Sequence, residues 1–410
     1  MNLFLIKIGK AWSVLRRDGF RRGGRRIYDA FIALFHRVHQ GEILFITGGV
    51  GDSARYRTEH VTEELRLQGF SVSITVQDNP FLASYADKFS VFVFHRVLYT
   101  PSVAKLITRI KDQDKEIIFE TDDLVYDPEF LKHMDYFTKM NTWEKKLYEH
   151  GVGGEILADP YVCVATTTTS FLAEKLRGRG KQVFVVKNKL SKQDVLWAEQ
   201  VVEKKSTSYQ LPATQLIRIG YLSGTPSHNK DFATITQVFV EIFEHYPEVR
   251  LVLAGPLDTE SVLQRYADRI ERVAFVPRSE LFGVIASLDI NLAPLEIGNP
   301  FCESKSELKW FEAGIVGVPT VAAATEPFRQ AIADGVDGYV AATEAEWQEK
   351  LEKLITDPEA RRQMGEQARQ TVRSRYTTVV ADNREYYEYL RSKMSSRTCL
   401  PAAGGIRDLE

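Results

Sequence analysis

The feature that most constrains the fold is an alternation, repeated in both halves of the chain, between short apolar runs and helical patterns. In the first half the strand-like runs lie at residues 43–47, 72–76, 91–94, 117–120, 162–166 and 183–186. In the second half they lie at residues 217–222, 249–254, 273–276, 290–294, 319–323 and 338–341. Strands that alternate with helices pair in parallel and place helices on both faces of the sheet. The sequence therefore predicts two doubly wound α/β domains.

The polar tract EKKSTSYQLPATQ, at residues 203–215, marks the boundary between the two halves. We predict a first domain at residues 41–195, a linker at 196–215 and a second domain at 216–375. Residues 376–410 follow as a crossing helix and a tail. A chain of 410 residues, 44% of them hydrophobic and 26% charged, is long enough to form two cores.

Residues 1–40 form a basic amphipathic segment whose composition differs from the remainder. They carry nine Lys or Arg and two Asp, interleaved with apolar and aromatic residues. Lys7 and Lys10 interrupt the apolar centre that a secretory signal would need. Such a segment can lie in the headgroup region of an anionic membrane, and a solvated leader is the alternative interpretation.

Composition excludes several classes of protein. A formal net charge of −2 argues against a dedicated nucleic-acid binder. The three cysteines, Cys163, Cys302 and Cys399, include no C-x-x-C pair, so we expect neither structural zinc nor a disulfide framework. No apolar run approaches the roughly 20 residues that cross a bilayer. We therefore expect a cytoplasmic protein, with peripheral attachment at the inner face of the membrane as an open alternative.

Polar and apolar signals are densest in residues 299–324, NPFCESKSELKWFEAGIVGVPTVAAA. Ser304 with Glu307 three residues later predicts a capping box, while Gly317 and Pro319 predict a helix end. Together they predict a helix over about residues 305–316.

Three charged residues of this helix, Lys305, Lys309 and Glu312, are expected to share one face. A helix N-terminus with two nearby cations suits an anionic ligand such as a diphosphate, and a carboxylate can accept hydrogen bonds from ribose hydroxyls. The alternative is a surface helix with ordinary i,i+4 charge pairs.

Two loops that follow strands also carry candidate ligand groups. The glycine-rich turn after residue 47 leads into a helix with Arg55 and Arg57, which we expect at the sheet edge where ligands of open α/β sheets bind. Together with Gly49 they are candidates for holding an acceptor phosphate or a donor; the alternative is a solvated helix start. After residue 222, Gly224 and Thr225 offer backbone N–H groups to a phosphate. The polar residues His228 and Lys230 follow them.

An acidic group, Glu120-Thr121-Asp122-Asp123, ends another strand of the first half, and His95-Arg96 ends the strand before it. Carboxylates at the spacing E-x-D-D can bind Mg²⁺ or Mn²⁺, so a metal site is one interpretation of this group. Some proteins bind these ions through an Asp-x-Asp motif, but the α/β pattern around residues 120–123 differs from the pattern around that motif. We therefore predict no metal here. A helix cap or turn is the structural alternative.

The run EAGIVGVPTVAA resembles the acidic helix and G-x-P-V-V-A segment of retaining, nucleotide-sugar-dependent glycosyltransferases of the GT-B fold, the family-four type also called glycosyl transferases group 1. Glu312 matches the glutamate that binds the ribose in that family. The first glutamate of the family's E-x7-E spacing would fall on Ser304, with Glu303 one place earlier. One branch of the family has a form closer to Asn299, Phe301, Lys305, Ser306, Lys309 and Glu312.

The resemblance implies a GT-B fold, with two Rossmann-like domains facing a cleft and a C-terminal helical return. It also implies a hexosyltransferase-like enzyme that moves a sugar, with retention, from a nucleotide sugar to a glycan or lipid-linked acceptor in cell-surface polysaccharide or glycoconjugate assembly. The residues it would place against the sugar are Asp122, Asp123 and Glu303. The residues it would place at the donor are Gly224, Thr225, His228, Lys230, Asn299, Phe301, Lys305, Ser306, Lys309 and Glu312.

In such an enzyme no metal or other cofactor is obligatory, because lysines and backbone groups can stabilise the leaving diphosphate. Two alternatives remain from the sequence. A GT-B-fold nucleotide-sugar isomerase or epimerase would use the same donor site without an acceptor. A non-catalytic, membrane-associated assembly subunit would keep the fold and lose donor affinity.

Overall fold

The computed structural model describes residues 38–49, 51–133, 150–207, 216–224 and 229–395, together with separate residues between positions 23 and 35 and between positions 137 and 148. Within this part of the chain, no helix is both long and apolar enough to cross a membrane.

The first half forms a six-stranded sheet in the order β2-β1-β3-β4-β5-β6, with every neighbouring pair parallel. All five residues of the interior strand β1 are buried, which is typical of a sheet covered on both faces. The strands are β1 Ile43–Thr47, β2 Val72–Val76, β3 Val91–His95, β4 Glu116–Thr121, β5 Val164–Thr167 and β6 Gln182–Val185.

The first helix of this half, α1, consists of three consecutive helical segments, Asp52–Ala54, Arg55–His60 and Val61–Leu67. Its middle part is a π-helix, a form common at functional sites. Short 3₁₀ segments lie at Leu82–Asp87 and Pro128–His133. The other helices are α2 Pro101–Lys111, α3 Gly154–Ala158, α4 Ser170–Arg177 and α5 Lys192–Thr207.

The second half forms another six-stranded parallel sheet, in the order β12-β11-β10-β7-β8-β9. Its strands are β7 Ile217–Leu222, β8 Val249–Ala254, β9 Ile270–Val273, β10 Ile290–Ala293, β11 Thr320–Ala323 and β12 Tyr339–Ala341. The prediction of two doubly wound parallel sheets is confirmed.

Helices cover this second sheet, and a 3₁₀ segment lies at Ser261–Arg269. The helices are α6 Asn229–Ala233, α7 Thr236–His245, α8 Arg278–Ala286, α9 Pro300–Glu303, α10 Leu308–Gly314, α11 Glu326–Ala331, α12 Glu344–Thr356, α13 Pro358–Arg375 and α14 Arg384–Ser395.

Helix α14 returns to the first domain. Its Tyr386, Tyr387 and Leu390 are buried in the same core cluster as Ile43 and Phe45 of β1. A buried ion pair reinforces this contact, because the Lys189 ammonium donates to Glu64 Oε1 over 2.9 Å and also contacts Asp382, just before the helix. The predicted helical return is therefore present.

The predicted helix over residues 305–316 is shorter than expected, and the capping box is wrong. Ser304 Oγ donates to the Phe301 carbonyl over 2.8 Å, and Glu307 makes no side-chain cap at the start of α10. The chain instead forms two helices, because Asn299 caps α9 and the backbone bends before α10 begins at Leu308. Gly317 has a φ of 74°, so the predicted left-handed residue after the helix is confirmed.

Helix α5 occupies residues 192–207, so the first part of the segment that composition marks as a linker is helical. The partly buried Val195, Trp197 and Val201 pack against the core of the second domain. Residues 208–215 lie outside the described residues.

Candidate functional site

The loops that follow the first sheet and the segment leading into α10 meet across a cleft. Tyr56, in α1 directly after β1, donates its hydroxyl to Glu312 Oε1 over 2.6 Å. Asn188, three residues after β6, donates its amide to Ser306 Oγ over 2.9 Å. The ligand edge of the first sheet and the helix with the predicted ribose carboxylate therefore lie together.

Glu312 is buried within a cluster of charged and hydroxyl groups. Its Oε1 accepts hydrogen bonds from Tyr56 and from the Arg278 guanidinium. Arg278 also donates through Nε to Asp194 Oδ1 over 3.0 Å. Burial alone would lower the pKa of Arg278, but the groups around it, with Tyr56 and Glu312 foremost, raise it above its ordinary value. The guanidinium therefore stays charged beside two carboxylates.

Lys305 pairs with a carboxylate that the sequence did not single out. Its Nζ donates to Asp231 Oδ2 over 2.9 Å, and the Lys305 side chain is 32% exposed while Asp231 is buried. Burial lowers the pKa of Lys305, and the negative charge of Asp231 more than offsets that effect, so the pKa is raised. Lys305 is thus a permanent cation at the edge of the cleft.

Asp231, Glu296 and Cys302 place one potential ligand atom each within 4.8 Å of one another. Burial raises the pKa of the Cys302 thiol to about 12, so the sulfur keeps its proton and donates to Asp231 Oδ1 over 3.1 Å. Asp231 is also bound by the Lys305 ammonium. A metal ion would have to displace both a proton and an ammonium group, so this donor set fits a cation poorly.

Lys309 approaches the end of strand β7. Its Nζ donates to the Leu222 carbonyl and lies 5.0 Å from the centre of the Tyr221 ring. Burial lowers the pKa of Lys309 to about 8. Gly224, two residues beyond β7, is exposed, and among the described residues, its chain neighbours apart, no heavy atom lies within 4 Å of the position that a Cβ would take. Lys309 therefore lies at the carboxyl end of β7, which is two residues before Gly224.

The remaining predicted donor residues of that loop are divided by the structure. Lys230 lies in the first turn of α6 and is exposed. Thr225 and His228 lie outside the described residues, so their assignment to the donor stays a prediction.

Asp122 and Asp123 lie in the loop after β4 and share Arg96. The Arg96 Nε donates to Asp122 Oδ1 over 2.6 Å, and a second guanidinium nitrogen donates to Asp123. Burial raises the pKa of Asp122, but Arg96 and the hydrogen bonds from its neighbours lower it well below its ordinary value. Asp122 is therefore an anion, 15% exposed, at the first domain's side of the cleft.

Two more polar residues, His95 and Ser53, belong to this cluster. Ser53 Oγ donates to Asp122 Oδ2 over 2.7 Å and lies 3.1 Å from His95 Nε2. Arg96 has a φ of +50°, a conformation that few residues other than glycine adopt. A Cβ at Gly48 would lie 1.8 Å from the Arg96 carbonyl oxygen, so this close approach requires glycine. In the sequence, His95 and Arg96 stand out as candidate site residues because they end a predicted strand. No sequence pattern marks Ser53 as a candidate.

Glu303, predicted to contact the sugar, binds backbone amides. Its carboxylate accepts hydrogen bonds from Gly298 N over 3.0 Å and from Glu326 N over 3.2 Å. Glu326 is the first residue of α11, so Glu303 binds a backbone N–H group at the start of that helix. Asn299 Oδ1 accepts from Phe301 N and caps α9. The Phe301 side chain is buried in the core of the first domain. The ring of Phe301 is therefore enclosed by that core, and donor binding by this residue stays a prediction.

Of the predicted group after β1, Gly49 is exposed and Arg55 is partly exposed, paired with Asp52. Arg57 is a correction. Its side chain is fully buried, and Nε and NH2 donate to the two oxygens of Glu120 over 2.8 and 3.1 Å. The third nitrogen donates to the Val186 carbonyl and to Asn188. Arg57 is therefore a structural ion pair and cannot bind a phosphate.

Comparison with known proteins agrees with this architecture. Residues 236–380 match a family model described as glycosyl transferase-like. No curated protein matches the sequence.

Three solved structures illustrate the likeness in fold, each at 12% sequence identity. HepE from Anabaena, in complex with UDP and glucose, has a TM-score of 0.54 over 87% of this chain and 100% of its own. Sucrose-phosphate synthase from Thermosynechococcus elongatus has a TM-score of 0.57 over 88% and 99%. A glycosyltransferase from Rickettsia africae has a TM-score of 0.56 over 86% and 99%. The chain thus has the GT-B fold, with two Rossmann-like domains.

Proposed function

We propose that this protein is a glycosyltransferase that moves a sugar from a nucleotide-activated donor to a glycan or lipid-linked acceptor. The observation that carries the proposal is the position of Glu312, a buried carboxylate that meets the ligand edge of the first sheet across the cleft. Lys305 and Lys309 lie on the same segment and supply cations for a diphosphate. The family match over residues 236–380 includes all three, and solved HepE structures contain UDP or UDP-glucose.

In the proposed reaction the bond between the anomeric carbon and the diphosphate oxygen breaks as the acceptor oxygen bonds to that carbon. Lys305, Lys309 and Lys230 stabilise the negative charge that develops on the diphosphate. The acceptor hydroxyl attacks the face that the leaving group vacates and passes its proton to the departing phosphate oxygen, which gives retention. In this proposal Asp122 and Asp123 accept hydrogen bonds from sugar hydroxyls, and their hydrogen bonds from Arg96 support the role by fixing both carboxylates.

We further propose that no metal is obligatory. We also propose that the diphosphate binds at the segment before α10, which contains Lys305, and not at the N-terminus of a helix. Helix α10 begins three residues beyond Lys305 and has only seven residues. Its backbone N–H groups therefore contribute less than the sequence suggested, and the lysine side chains carry the charge stabilisation.

The experiment that tests the proposal is a calorimetric titration of the full chain with UDP and with GDP, in the presence of a chelator. We expect the titration to show binding of one of the two nucleotides. At about 100 times its dissociation constant, that nucleotide should raise the free energy of unfolding by about 2.7 kcal/mol, which thermal unfolding can measure. No binding of either nucleotide by the folded protein would contradict the proposal and favour a non-catalytic assembly subunit. Nucleotide release that depends on an acceptor separates a transferase from an epimerase.

We propose that residues 1–40 contact an anionic membrane surface during glycoconjugate or polysaccharide assembly. This contact would bring the enzyme to a lipid-linked acceptor. Among the described residues of this segment, Tyr28, Phe31, Ile32 and Phe35 are 50–62% exposed. Their spacing places them on one helical face, and the rings of Phe31 and Phe35 lie 5.2 Å apart. Nine Lys or Arg in the same segment complement an acidic lipid surface.

We expect the protein to sediment with vesicles that contain acidic phospholipid and to stay free with vesicles of neutral phosphatidylcholine alone. Replacement of Phe31 and Phe35 by Ser should lower vesicle binding about tenfold, because two exposed aromatic rings no longer enter the interface. Phe275→Ser, which removes a ring that is 49% exposed in the second domain, is the matched control. Equal binding of the control and the double variant would contradict the membrane proposal.

A further inference from the structure

The hydrogen bonds of Glu312 are unevenly divided between its two oxygens. Within the described residues, both hydrogen bonds to this carboxylate, from the Tyr56 hydroxyl and from the Arg278 guanidinium, go to Oε1. Arg278 also donates to the Tyr56 hydroxyl over 2.5 Å. The three groups thus form a closed triangle around one carboxylate oxygen.

This triangle fixes the phenol proton. Because the Tyr56 oxygen accepts a hydrogen bond from Arg278, its own proton is directed to Glu312. Burial raises the pKa of Tyr56 well above its ordinary value, so the phenol keeps that proton throughout the physiological range. Tyr56 is therefore a constant donor to Oε1.

Arg278 is itself held by groups from several elements. Each of its guanidinium nitrogens has a different partner: Asp194 in α5, Glu312 in α10 and Tyr56 in α1. The guanidinium also lies 5.0 Å from the centre of the Phe282 ring. A planar fork with three fixed partners has little rotational freedom, so it imposes one orientation on the Glu312 carboxylate.

We infer that Arg278 and Tyr56 are positioning residues that hold Glu312 Oε1 and thereby reserve Oε2 for the ribose hydroxyls of the nucleotide. This inference rests on the proposed function. Because Tyr56 belongs to the first domain and Glu312 to the second, recognition of the ribose depends on the contact between the domains. Neither Arg278 nor Tyr56 was a candidate from the sequence.

The test compares two nucleotides in each variant. The nucleotide that binds, UDP or GDP, and its 2′-deoxy analogue are titrated into the wild type, Arg278→Lys and Tyr56→Phe. We expect the wild type to prefer the ribonucleotide about tenfold or more, because a hydrogen bond to a charged group is lost with the 2′-hydroxyl. In Arg278→Lys the preference should fall below about threefold, mainly through weaker binding of the ribonucleotide. Tyr56→Phe should shift it in the same direction by a smaller factor.

Arg265→Lys is the control, since Arg265 is an exposed arginine of the same domain that pairs with Glu244. A preference that stays at the wild-type value in both Arg278→Lys and Tyr56→Phe would overturn the inference and leave the proposed function intact. Equal losses of affinity for both nucleotides would also overturn it, because they indicate a general structural role. Absence of nucleotide binding in the wild type would instead contradict the proposed function itself. If Arg278→Lys does not fold, Tyr56→Phe decides the question alone.

Discussion

Arg57→Met is expected to lower the free energy of unfolding by about 3–5 kcal/mol, because it leaves the buried Glu120 carboxylate without its ion-pair partner. The Arg57 side chain is fully buried and donates to both oxygens of Glu120. Its third nitrogen satisfies the Val186 carbonyl after β6, so the substitution also removes a link between strands. Urea denaturation, followed by circular dichroism, measures the change.

Arg55→Met is the matched control for this prediction, because it removes the same charge two residues earlier. Arg55 is partly exposed and pairs with the exposed Asp52, so its loss should cost less than about 1 kcal/mol. The double variant Arg57→Met with Glu120→Gln should recover part of the loss, since no unpaired charge then remains buried. Equal effects of Arg55→Met and Arg57→Met would contradict the structural assignment of Arg57.

Glu312→Ala is expected to weaken nucleotide binding at least about a hundredfold. Two hydrogen bonds from ribose hydroxyls to a carboxylate contribute about 1.5–3 kcal/mol each, and both would be lost. The folded state should remain, because Arg278 keeps its hydrogen bond to Asp194 and its contact with Phe282. Calorimetry with the nucleotide that binds the wild type measures the change, and thermal unfolding verifies that the variant is folded.

Glu280→Ala is the matched control, because Glu280 is an exposed glutamate in the first turn of α8, close in sequence to Arg278. Its nucleotide affinity should equal that of the wild type. If Glu312→Ala retains an affinity within threefold of the wild type, Glu312 does not bind the ribose. The donor site would then have to be sought elsewhere in the cleft.

Most strands could be predicted from the sequence to within two residues, because buried parallel strands are continuous apolar runs. Strand β9 is the exception, predicted at residues 273–276 and found at Ile270–Val273. It is an edge strand of its sheet, its residues are partly or fully exposed, and two of the four residues in IERV are charged. The apolar run at residues 273–276 was therefore the stronger signal, although only its first residue, Val273, lies in the sheet.

Arg55 and Arg57 show why spacing alone did not separate a partly exposed arginine from a buried structural one. Residues two apart on a helix point in nearly opposite directions, so only one of the pair can face the sheet. Which one it is depends on how the helix packs. The sequence places both arginines after the same strand, and only the packing directs Arg57 to Glu120.

The sequence by itself determined the two doubly wound domains and the segment that carries Glu312, because strand hydrophobicity and the spacing of helix residues are local properties. Only the tertiary structure decided what holds that carboxylate. Tyr56 of the first domain contacts Arg278 and Glu312 of the second, so these two contacts depend on the docking of one domain against the other. Local pattern carries no information about that docking, since it is set by the complementarity of two whole surfaces.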